Sequence, residues 1–362
     1  MARKLEGELR RGWTTGACAT AAAKAAYTAL LTGEFPDPVK ISLPKGETPT
    51  FALAREGIDG DTAFAAIVKD AGDDPDVTHG ALIRVDVALK TDGNGIEFRS
   101  GDGVGTVTRD GLPLAVGEPA INPAPRKMIE TAIAETAEDH GGDGNVTVTV
   151  SVDGGAALAE KTWNPRLGIL GGISILGTTG VVVPYSCSAW IESIHRGIDV
   201  ARAASEATIA GCTGKTSEDQ TQALLSLPHH AMIDMGDFVG GMLKYLRAHP
   251  VPNVAIGGGF AKLCKLAQGN LDLHSGRSQV DFGWLAGVAA KLGADHTVKT
   301  GIENANTAAE ALSLSGNAGL PLADEIARRA RAVAQDTVGD TGSAVQVLVF
   351  DRAGNLVGQS DG

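Results

Sequence analysis

Hydrophobic and polar residues alternate with a period of two through much of the first half of the chain. The stretches with this pattern are 39–43, 48–56, 62–70, 82–90, 96–100 and 145–152. Such alternation is typical of strands in a sheet with one buried face. The alanine-rich stretch 17–31 and the stretch 125–139 predict two helices between the strands. We therefore expect an α+β two-layer domain over residues 1–165.

The second half changes to a repeated strand, turn and helix pattern. Three apolar stretches, 207–214, 230–236 and 253–259, end in glycine-containing turns and precede helix-like sequence. Short connections between alternating strands and helices are typical of a parallel sheet with helices on its faces. The pattern predicts a Rossmann-like three-layer α/β domain with a mainly parallel sheet over residues 166–343. It leaves open whether a predicted hairpin at 344–359 returns to the first domain.

Residues 167–191 carry no charged side chain and are numerous enough to span a membrane. Five glycines and a proline interrupt this run, which favours buried strands joined by a glycine turn. The four cysteines form no CxxC pair, so a zinc site is not expected. Because cysteines are also few, we expect a cytoplasmic protein that binds neither a membrane nor a metal.

Composition adds two constraints. Glycine supplies 48 of 362 residues, about twice the usual share of about 7%, while 43% hydrophobic residues exclude a disordered chain. The net charge of −12 argues against binding to nucleic acid, which requires a basic surface. An anionic small molecule remains compatible with this charge, since a pocket on an acidic protein can be locally basic.

Two Thr-Thr-Gly motifs are candidate binding elements. Their members are Thr14, Thr15 and Gly16 in the first motif, and Thr178, Thr179 and Gly180 in the second. The first motif precedes a predicted helix, so its hydroxyls either cap that helix or expose amides that bind a carboxylate, together with Arg10 and Arg11. The second lies in the uncharged run, where buried hydroxyls need partners from a ligand or from a turn.

An acidic turn follows the third predicted strand. It contains Asp70, Asp73, Asp74 and Asp76, beside His79. The spacing does not match a calcium-binding EF-hand loop. The turn is therefore either a solvated surface feature or a contact for a cationic group or a ribose diol.

Two arginines follow Asn-Pro pairs. Arg126 and Arg166 would be held rigidly because proline fixes the preceding turn, and a rigid guanidinium suits bidentate carboxylate binding.

Glycine-rich turns in the second half offer a different type of site. Gly257, Gly258 and Gly259 lie between a strand and a helix whose first turn contains Lys262. Glycines allow a ligand to approach the backbone, and a helix N-terminus favours negative charge. Lys262 is equally compatible with a solvated position. The Gly-Lys-Thr sequence at 214–216 lacks the first P-loop glycine, since Ile209 stands there, and predicts a turn with Thr216 or Ser217 as N-cap.

Taken together, these motifs resemble the CbiD family of cobalt-precorrin-5B C(1)-methyltransferases in cobalamin biosynthesis. The segments that carry the resemblance are 10–26, 68–80, 101–108, 121–129, 164–184, 235–243 and 257–281. The sequence GGGFAK departs from the Gly-His-Ile-Gly-Lys type of loop expected for the family. A histidine role at that loop is therefore in doubt, and His274 is the nearer catalytic candidate.

The resemblance implies methyl transfer from S-adenosylmethionine to ring carbon 1 of a corrin precursor, converting cobalt-precorrin-5B to cobalt-precorrin-6A. The macrocycle carries many carboxylates, so the arginines become candidate clamps for substrate. They are Arg10, Arg11, Arg126, Arg166 and Arg277. The acidic turn and the Gly257–Gly259 loop with Lys262 become candidate donor contacts.

Two other functions remain open from the sequence. One is a tetrapyrrole carrier without catalysis, and the other is a nicotinamide-dependent oxidoreductase on the same type of parallel sheet. An oligomer and contacts with neighbouring pathway enzymes also remain open.

Overall fold

The chain forms two compact units, Met1–Ser186 and Cys187–Gly362. A computed structural model describes residues 9–91 and 95–360 of this chain. Each unit combines helices with a five-stranded sheet, so the predicted mixed α/β class is confirmed.

Over residues 9–91 and 95–186, the first unit contains three helices and a series of mostly short strands. The helices are α1 (Thr15–Thr32), α2 (Pro123–His140) and α3 (Gly155–Ala159). The strands are β1 (Gly12–Trp13), β2 (Val39–Lys40), β3 (Thr50–Phe51), β4 (Arg55–Asp59), β5 (Thr62–Val68), β6 (Leu82–Leu89), β7 (Ile96–Ser100), β8 (Gly103–Val104), β9 (Thr106–Val107), β10 (Val146–Val152), β11 (Ile169–Leu170), β12 (Gly172–Ile173) and β13 (Val181–Val182).

The main sheet of this unit has the order β4-β5-β6-β10-β7, with only the β10–β7 pair parallel. Burial alternates along β10, where the valines are buried and the intervening hydroxyl residues are half-buried, as the sequence pattern predicts. Helix α1 packs against β5, β6 and α2. Its alanines are almost fully buried, because their small side chains let the helix lie close to the sheet.

The uncharged run contains three short strands joined by turns, and only its last residues, from Cys187, belong to a helix. Strands β11, β12 and β13 pair with β9, β8 and β1, all of which are earlier strands of the first unit. These pairings explain why the first unit extends to Ser186 and not to the expected position 165. Among the described residues, no helix is long and apolar enough to cross a membrane.

The second unit contains eight α-helices, one short 3-10 helix (His229–Ala231) and five strands within its described residues. The helices are α4 (Cys187–Ala203), α5 (Lys215–Leu225), α6 (Val239–Ala248), α7 (Phe260–Ala267), α8 (Phe282–Lys291), α9 (His296–Glu303), α10 (Ala308–Asn317) and α11 (Leu322–Val338). The strands are β14 (Thr208–Cys212), β15 (Met232–Asp234), β16 (Asn253–Gly259), β17 (Ala344–Phe350) and β18 (Leu356–Gln359). Helices α8 to α10 lie in a region for which the sequence pattern predicts no element.

The second sheet has the order β15-β14-β16-β17-β18. Its first four strands are parallel and β18 is antiparallel. The hairpin at 344–359 therefore belongs to this sheet and does not return to the first unit. Alternate residues of the strands face different cores: Ile209 and Ile256 join the large cluster, whereas Ala210 and Ala255 pack with Leu225 at the end of α5.

Candidate functional site

The two Thr-Thr-Gly motifs meet in the first unit. Thr14 donates its backbone N–H to the carbonyl of Gly180 at 3.0 Å. The hydroxyl of Thr15 accepts the N–H of Leu176 at 2.9 Å, and the N–H of Gly16 donates to the carbonyl of Leu176 at 3.0 Å. We call this region, formed by residues 10–16, 70–79 and 174–185, the first-unit junction.

Capping accounts for one hydroxyl of the first motif. The Thr14 Oγ1 accepts the N–H of Ala17 at 3.2 Å and caps α1. In the second motif, Thr179 Oγ1 accepts the N–H of Val181 at 3.3 Å, and Thr178 is exposed. The capping alternative for Thr14 is thus confirmed, whereas carboxylate binding by either motif stays a prediction.

Close backbone approach explains two glycines of the first-unit junction. The N–H of Trp13 donates to the carbonyl of Asp70 at 2.7 Å. A Cβ atom on Gly12 would overlap the backbone of Ala71, and a Cβ atom on Gly72 would overlap the backbone of Arg10 and Arg11. Only glycine at these positions lets the two segments lie so close together.

The four carboxylates of the acidic turn all have partners in the first unit. Asp70 forms a bidentate ion pair with Arg10, and Asp73 accepts the backbone N–H of the same residue at 2.6 Å. Asp74 accepts the backbone N–H of Tyr185 at 2.8 Å. The acidic turn therefore ties the three segments of the first-unit junction together.

The fourth carboxylate, Asp76, pairs with a buried lysine. Lys69 is 1% exposed, and its Nζ lies 2.7 Å from Asp76 Oδ2. Burial alone would raise the pKa of Asp76, but the charge and hydrogen bond of Lys69 and two hydrogen bonds from Thr78 outweigh it and lower the pKa. The hydrogen bond from Arg10 lowers the pKa of Asp70 to about 2.

The predicted arginine clamps differ in their surroundings. Arg126 donates from Nε to the carbonyl of Ile121 at 2.8 Å and lies beside Glu118, so its fork holds a loop of its own unit. Arg166 is half-buried and has a partner within the chain. Arg11 is exposed, and its side chain has no hydrogen-bond or ion-pair partner among residues 9–91 and 95–360. Carboxylate binding by these arginines stays a prediction.

The parallel strands of the second unit end at a second candidate site. Thr213 and Gly214 follow β14, Met235 to Asp237 follow β15, and Gly257 to Gly259 close β16. We call these residues the second-sheet edge. The N–H of Thr213 donates to the carbonyl of Gly257 at 3.0 Å, which joins two of these strand ends.

The glycines of the second-sheet edge are of two kinds. A Cβ atom on Gly257 would overlap the hydroxyl of Thr221, and one on Gly258 would crowd Thr213 and Leu263. In contrast, a Cβ atom on Gly259 or Gly214 would meet no other atom within 4 Å. Packing therefore favours glycine at 257 and leaves little room for a side chain at 258, whereas Gly214 and Gly259 border open space.

Lys262 lies at this edge but is engaged by the chain. Its Nζ donates to the carbonyl of Thr213 at 2.7 Å and lies 3.0 Å from Asp237 Oδ1, as an ion pair without hydrogen-bond alignment. The prediction that Thr216 or Ser217 caps the helix after β14 is wrong: α5 begins at Lys215 with Gly214 as N-cap, two residues before Thr216. The hydroxyl of Ser217 instead donates to the carbonyl of Gly214 at 2.8 Å.

The loop after α7 contains the remaining candidates. His274 is exposed, and its Nδ1 accepts the N–H of Gly276 at 3.1 Å. Arg277 pairs with Asp272 at 2.6 Å. Their proposed roles in catalysis and substrate binding stay predictions.

Sequence reasoning missed several residues that shape these sites. Lys69 and Tyr185 hold the first-unit junction, and Asp237 lies at the second-sheet edge. Lys265 is buried and donates to the carbonyl of Leu273 at 2.8 Å; burial lowers its pKa. Of these residues, Lys69 has the clearest local pattern in the sequence. It directly follows the apolar residues of β5, which is an unusual position for a charged side chain.

The three buried cysteine thiols have raised pKa values and are therefore poor nucleophiles. Burial raises the pKa of Cys18 and of Cys212 to about 12 and also raises the pKa of Cys264. These three side chains are therefore neutral near pH 7.

Comparison with known proteins identifies the family. Residues 2–184 match the CbiD family, and residues 272–361 match the CbiD C-terminal domain. The chain belongs to the CbiD family. The first CbiD match ends two positions before the end of the first unit, and the second lies within the second unit.

Curated CbiD relatives are similar over nearly the whole chain. A protein of Brucella anthropi and one of Brucella suis biovar 1, both named cobalt-precorrin-5B C(1)-methyltransferase, are each 59% identical over 97% of this chain and 96% of their own. Among solved structures, the cobalamin biosynthesis protein cbiD of Archaeoglobus fulgidus matches with 28% identity and a TM-score of 0.40. That match covers 70% of this chain and 78% of the other.

Proposed function

We propose that this chain transfers a methyl group from S-adenosylmethionine to carbon 1 of cobalt-precorrin-5B, giving cobalt-precorrin-6A. The observation that carries this function is the 59% identity, over 97% of the chain, to relatives named for C(1)-methylation of that substrate. The similarity to those relatives extends over 97% of this chain, which includes most of both units. The proposal therefore applies to the chain as a whole.

Methyl transfer of this kind requires mainly that the protein position the methyl donor and the ring carbon. The nucleophilic ring carbon attacks the methyl carbon, the S–CH₃ bond breaks, and the sulfonium becomes the neutral thioether S-adenosylhomocysteine. An in-line displacement of this kind depends on alignment of the two reactants and exclusion of water. It does not require a nucleophilic side chain, which agrees with the neutral buried thiols of this chain.

The donor site in this proposal is the second-sheet edge. The second unit is taken as Rossmann-like because its parallel strands have the order second, first, third and fourth, as in doubly wound nucleotide-binding sheets. In such sheets ligands bind where the strand order reverses, which here is between the ends of β14 and β16. Gly214 and Gly259 border open space at these ends, and Lys262 supplies a nearby positive charge.

The acceptor site in this proposal is in the first unit. Arg11 is the candidate clamp whose guanidinium has no partner in the described parts of the chain, so it is available to a macrocycle carboxylate. The acidic turn was also expected to bind the donor. Its contacts with Arg10, Lys69 and Tyr185 favour a role in holding the first-unit junction instead.

Location and association complete the proposal. A cytoplasmic location fits the small number of cysteines. Self-association and contacts with neighbouring pathway enzymes are further proposals, and sedimentation of the purified protein tests the first of them.

The experiment that tests the activity is a coupled assay with cobalt-precorrin-5B and S-adenosylmethionine. We expect the product mass to rise by one methyl group and S-adenosylhomocysteine to form in equal amount. A macrocycle that binds but keeps its mass would favour the carrier function. Saturable binding of NADH without methyl transfer would favour the oxidoreductase.

A second experiment tests the donor site. Gly259→Val fills the open space at the second-sheet edge and keeps an extended backbone that valine adopts readily, at φ −68° and ψ 145°. We expect calorimetric affinity for S-adenosylhomocysteine to fall at least about tenfold, while the free energy of unfolding changes by less than about 1 kcal/mol. Gly316→Val, on the exposed face of α10, is the matched control and should alter neither quantity. Unchanged affinity in Gly259→Val would place the donor elsewhere.

A further inference from the structure

Exposed apolar side chains are concentrated at the first-unit junction. The large ones are Val77, Leu176, Val183 and Tyr185, of which Tyr185 is 61% exposed. They come from two of the three segments that form the junction. Apolar groups that are exposed together beside polar residues often mark a ligand surface.

Strand pairing places a free cation beside this surface. In the β1–β13 pair, Gly12 lies opposite Val182 and Trp13 lies opposite Val181. Arg11 directly precedes β1 and Val183 directly follows β13, so the same register extended by one residue would bring Arg11 opposite Val183. We call Arg11, Val183 and Tyr185 the strip. It combines exposed apolar side chains with a guanidinium that no described residue of the chain neutralises.

Tyr185 has an unusual backbone for an aromatic residue. Its φ is +57°, in the left-handed region that side chains other than those of glycine, asparagine and aspartate rarely adopt. Asp74 accepts its backbone N–H at 2.8 Å, from a position 111 residues away in sequence. Strain of this type persists where the surrounding structure fixes it, often at ligand sites.

The ring of Tyr185 is correspondingly available. Neither its hydroxyl nor its ring has a hydrogen-bond, ion-pair or aromatic partner within residues 9–91 and 95–360. A strained backbone that exposes an aromatic ring gains nothing in stability from that ring, so packing within the first unit does not explain it.

We propose that Tyr185 and Val183 bind a face of the corrin acceptor, that Arg11 binds one of its carboxylates, and that Asp74 is a positioning residue for Tyr185. This proposal rests on the proposed function and assigns its acceptor surface. An aromatic ring stacks on a conjugated macrocycle, and a guanidinium forms paired hydrogen bonds with a carboxylate. The strip provides both groups on adjacent strand ends.

Steady-state kinetics test the stacking contact. In Tyr185→Ala we expect the KM for cobalt-precorrin-5B to rise at least about tenfold, a typical effect of removing a stacked aromatic side chain, while the KM for S-adenosylmethionine stays unchanged. Tyr185→Phe should retain the wild-type value. Ile58→Ala is the matched control. Ile58 is also exposed, but it lies near the turn between β4 and β5, at the opposite end of this hairpin from Lys69 and the acidic turn.

Two further variants separate contact from positioning. Arg11→Gln should raise the acceptor KM about tenfold, because a charge-assisted hydrogen bond is lost, without changing the unfolding midpoint. Asp74→Ala should raise the acceptor KM as Tyr185→Ala does. The double variant Asp74→Ala/Tyr185→Ala should show no additional effect, because both changes remove the same contact. Asp74→Asn should keep most of the affinity, because its amide oxygen still accepts a hydrogen bond.

The outcomes distinguish this inference from the proposed function. A wild-type protein that methylates cobalt-precorrin-5B, together with an unchanged acceptor KM in both Tyr185→Ala and Arg11→Gln, would overturn the acceptor surface alone. A wild-type protein without methyl transfer would overturn the function itself. A change in sedimentation of Tyr185→Ala with unchanged KM would instead assign the strip to contact between two copies of the chain and overturn the inference.

Discussion

The first-unit junction and the second-sheet edge are both rich in glycine, but glycine serves opposite purposes in them. At the junction, Gly12 and Gly72 let backbone segments touch, and the four carboxylates of the acidic turn are paired within the chain. At the second-sheet edge, Gly214 and Gly259 border space that no other atom fills. A glycine-rich motif can thus mark either a tightly closed structure or an opening for a ligand.

The polar residues show the same difference. The acidic turn places its four carboxylates on partners from its own unit, so it builds the first-unit junction. At the second-sheet edge, Asp237 Oδ1 is buried beside Lys262 without a well-aligned hydrogen bond. Substitutions that remove these internal contacts of the first-unit junction should therefore act mainly on stability, whereas substitutions of open positions, such as Gly259 at the second-sheet edge or the exposed Arg11 and Tyr185, should act mainly on binding.

The largest expected effect is that of Gly12→Val. A valine side chain would overlap the backbone of Ala71, so either the β1–β13 pair or the acidic turn must move. We expect the free energy of unfolding to fall by about 3 kcal/mol or more in urea titrations. Gly316→Val provides the control and should stay within about 0.5 kcal/mol of the wild type. A Gly12→Val protein of nearly normal stability would contradict a closed junction.

The next effect is that of Lys69→Met. The change leaves Asp76 partly buried without its cation, and we expect a loss of about 2 to 3 kcal/mol in the free energy of unfolding. Lys127→Met is the matched control, since Lys127 is 78% exposed and its pair with Glu130 lies on the surface. Equal small losses in the two variants would show that burial of the Lys69–Asp76 pair adds nothing.

Arg126→Lys should have a smaller effect that separates structure from binding. Arg126 reaches the carbonyls of Ile121 and Pro119 from two separate nitrogens, Nε and Nη2, whereas lysine has all its donors on one nitrogen. We therefore expect a stability loss of about 1 to 2 kcal/mol. The KM for cobalt-precorrin-5B should be unchanged. A raised KM with unchanged stability would instead support the predicted carboxylate clamp.

The smallest effect concerns pH. The pKa of Asp70 is lowered to about 2 by Arg10, so its stabilising contribution is complete above the ordinary pKa of about 4 and is lost as the pH falls toward 2. Asp70 is 43% exposed, and solvent screening limits the contribution to about 0.5 kcal/mol. Asp70→Asn should therefore be slightly less stable than the wild type at pH 7 and equally stable near pH 2. A difference that grows in acid would contradict this pairing.

Local sequence pattern predicts most of the elements. The alternation in 145–152 becomes β10, the alanine-rich stretch becomes α1, and the strand–turn–helix repeats become the parallel strands of the second sheet. These features depend on neighbours a few residues away, and hydrophobic period alone encodes them.

Long-range partners explain what the sequence does not predict. The division between the units depends on β11 to β13 pairing with much earlier strands. The local sequence suggests that the acidic turn is a free anionic surface. Its partners lie far away in sequence, since Arg10 is 60 positions from Asp70 and Tyr185 is 111 positions from Asp74, and a local pattern does not reveal them. Helices α8 to α10 lie where glycine and polar residues interrupt the apolar period.

The bond between Thr15 and Leu176 joins positions 161 residues apart, and it has a consequence for synthesis. Helix α1 leaves the ribosome before the other described helices of the first unit, yet the partners of its first turn are among the last residues of that unit to emerge. A nascent chain that ends before residue 174 has the five strands of its main sheet but lacks the contacts that close the start of α1. The first unit therefore completes its fold only after nearly all of its residues have been made, which makes its earliest-synthesised helix the last to be secured.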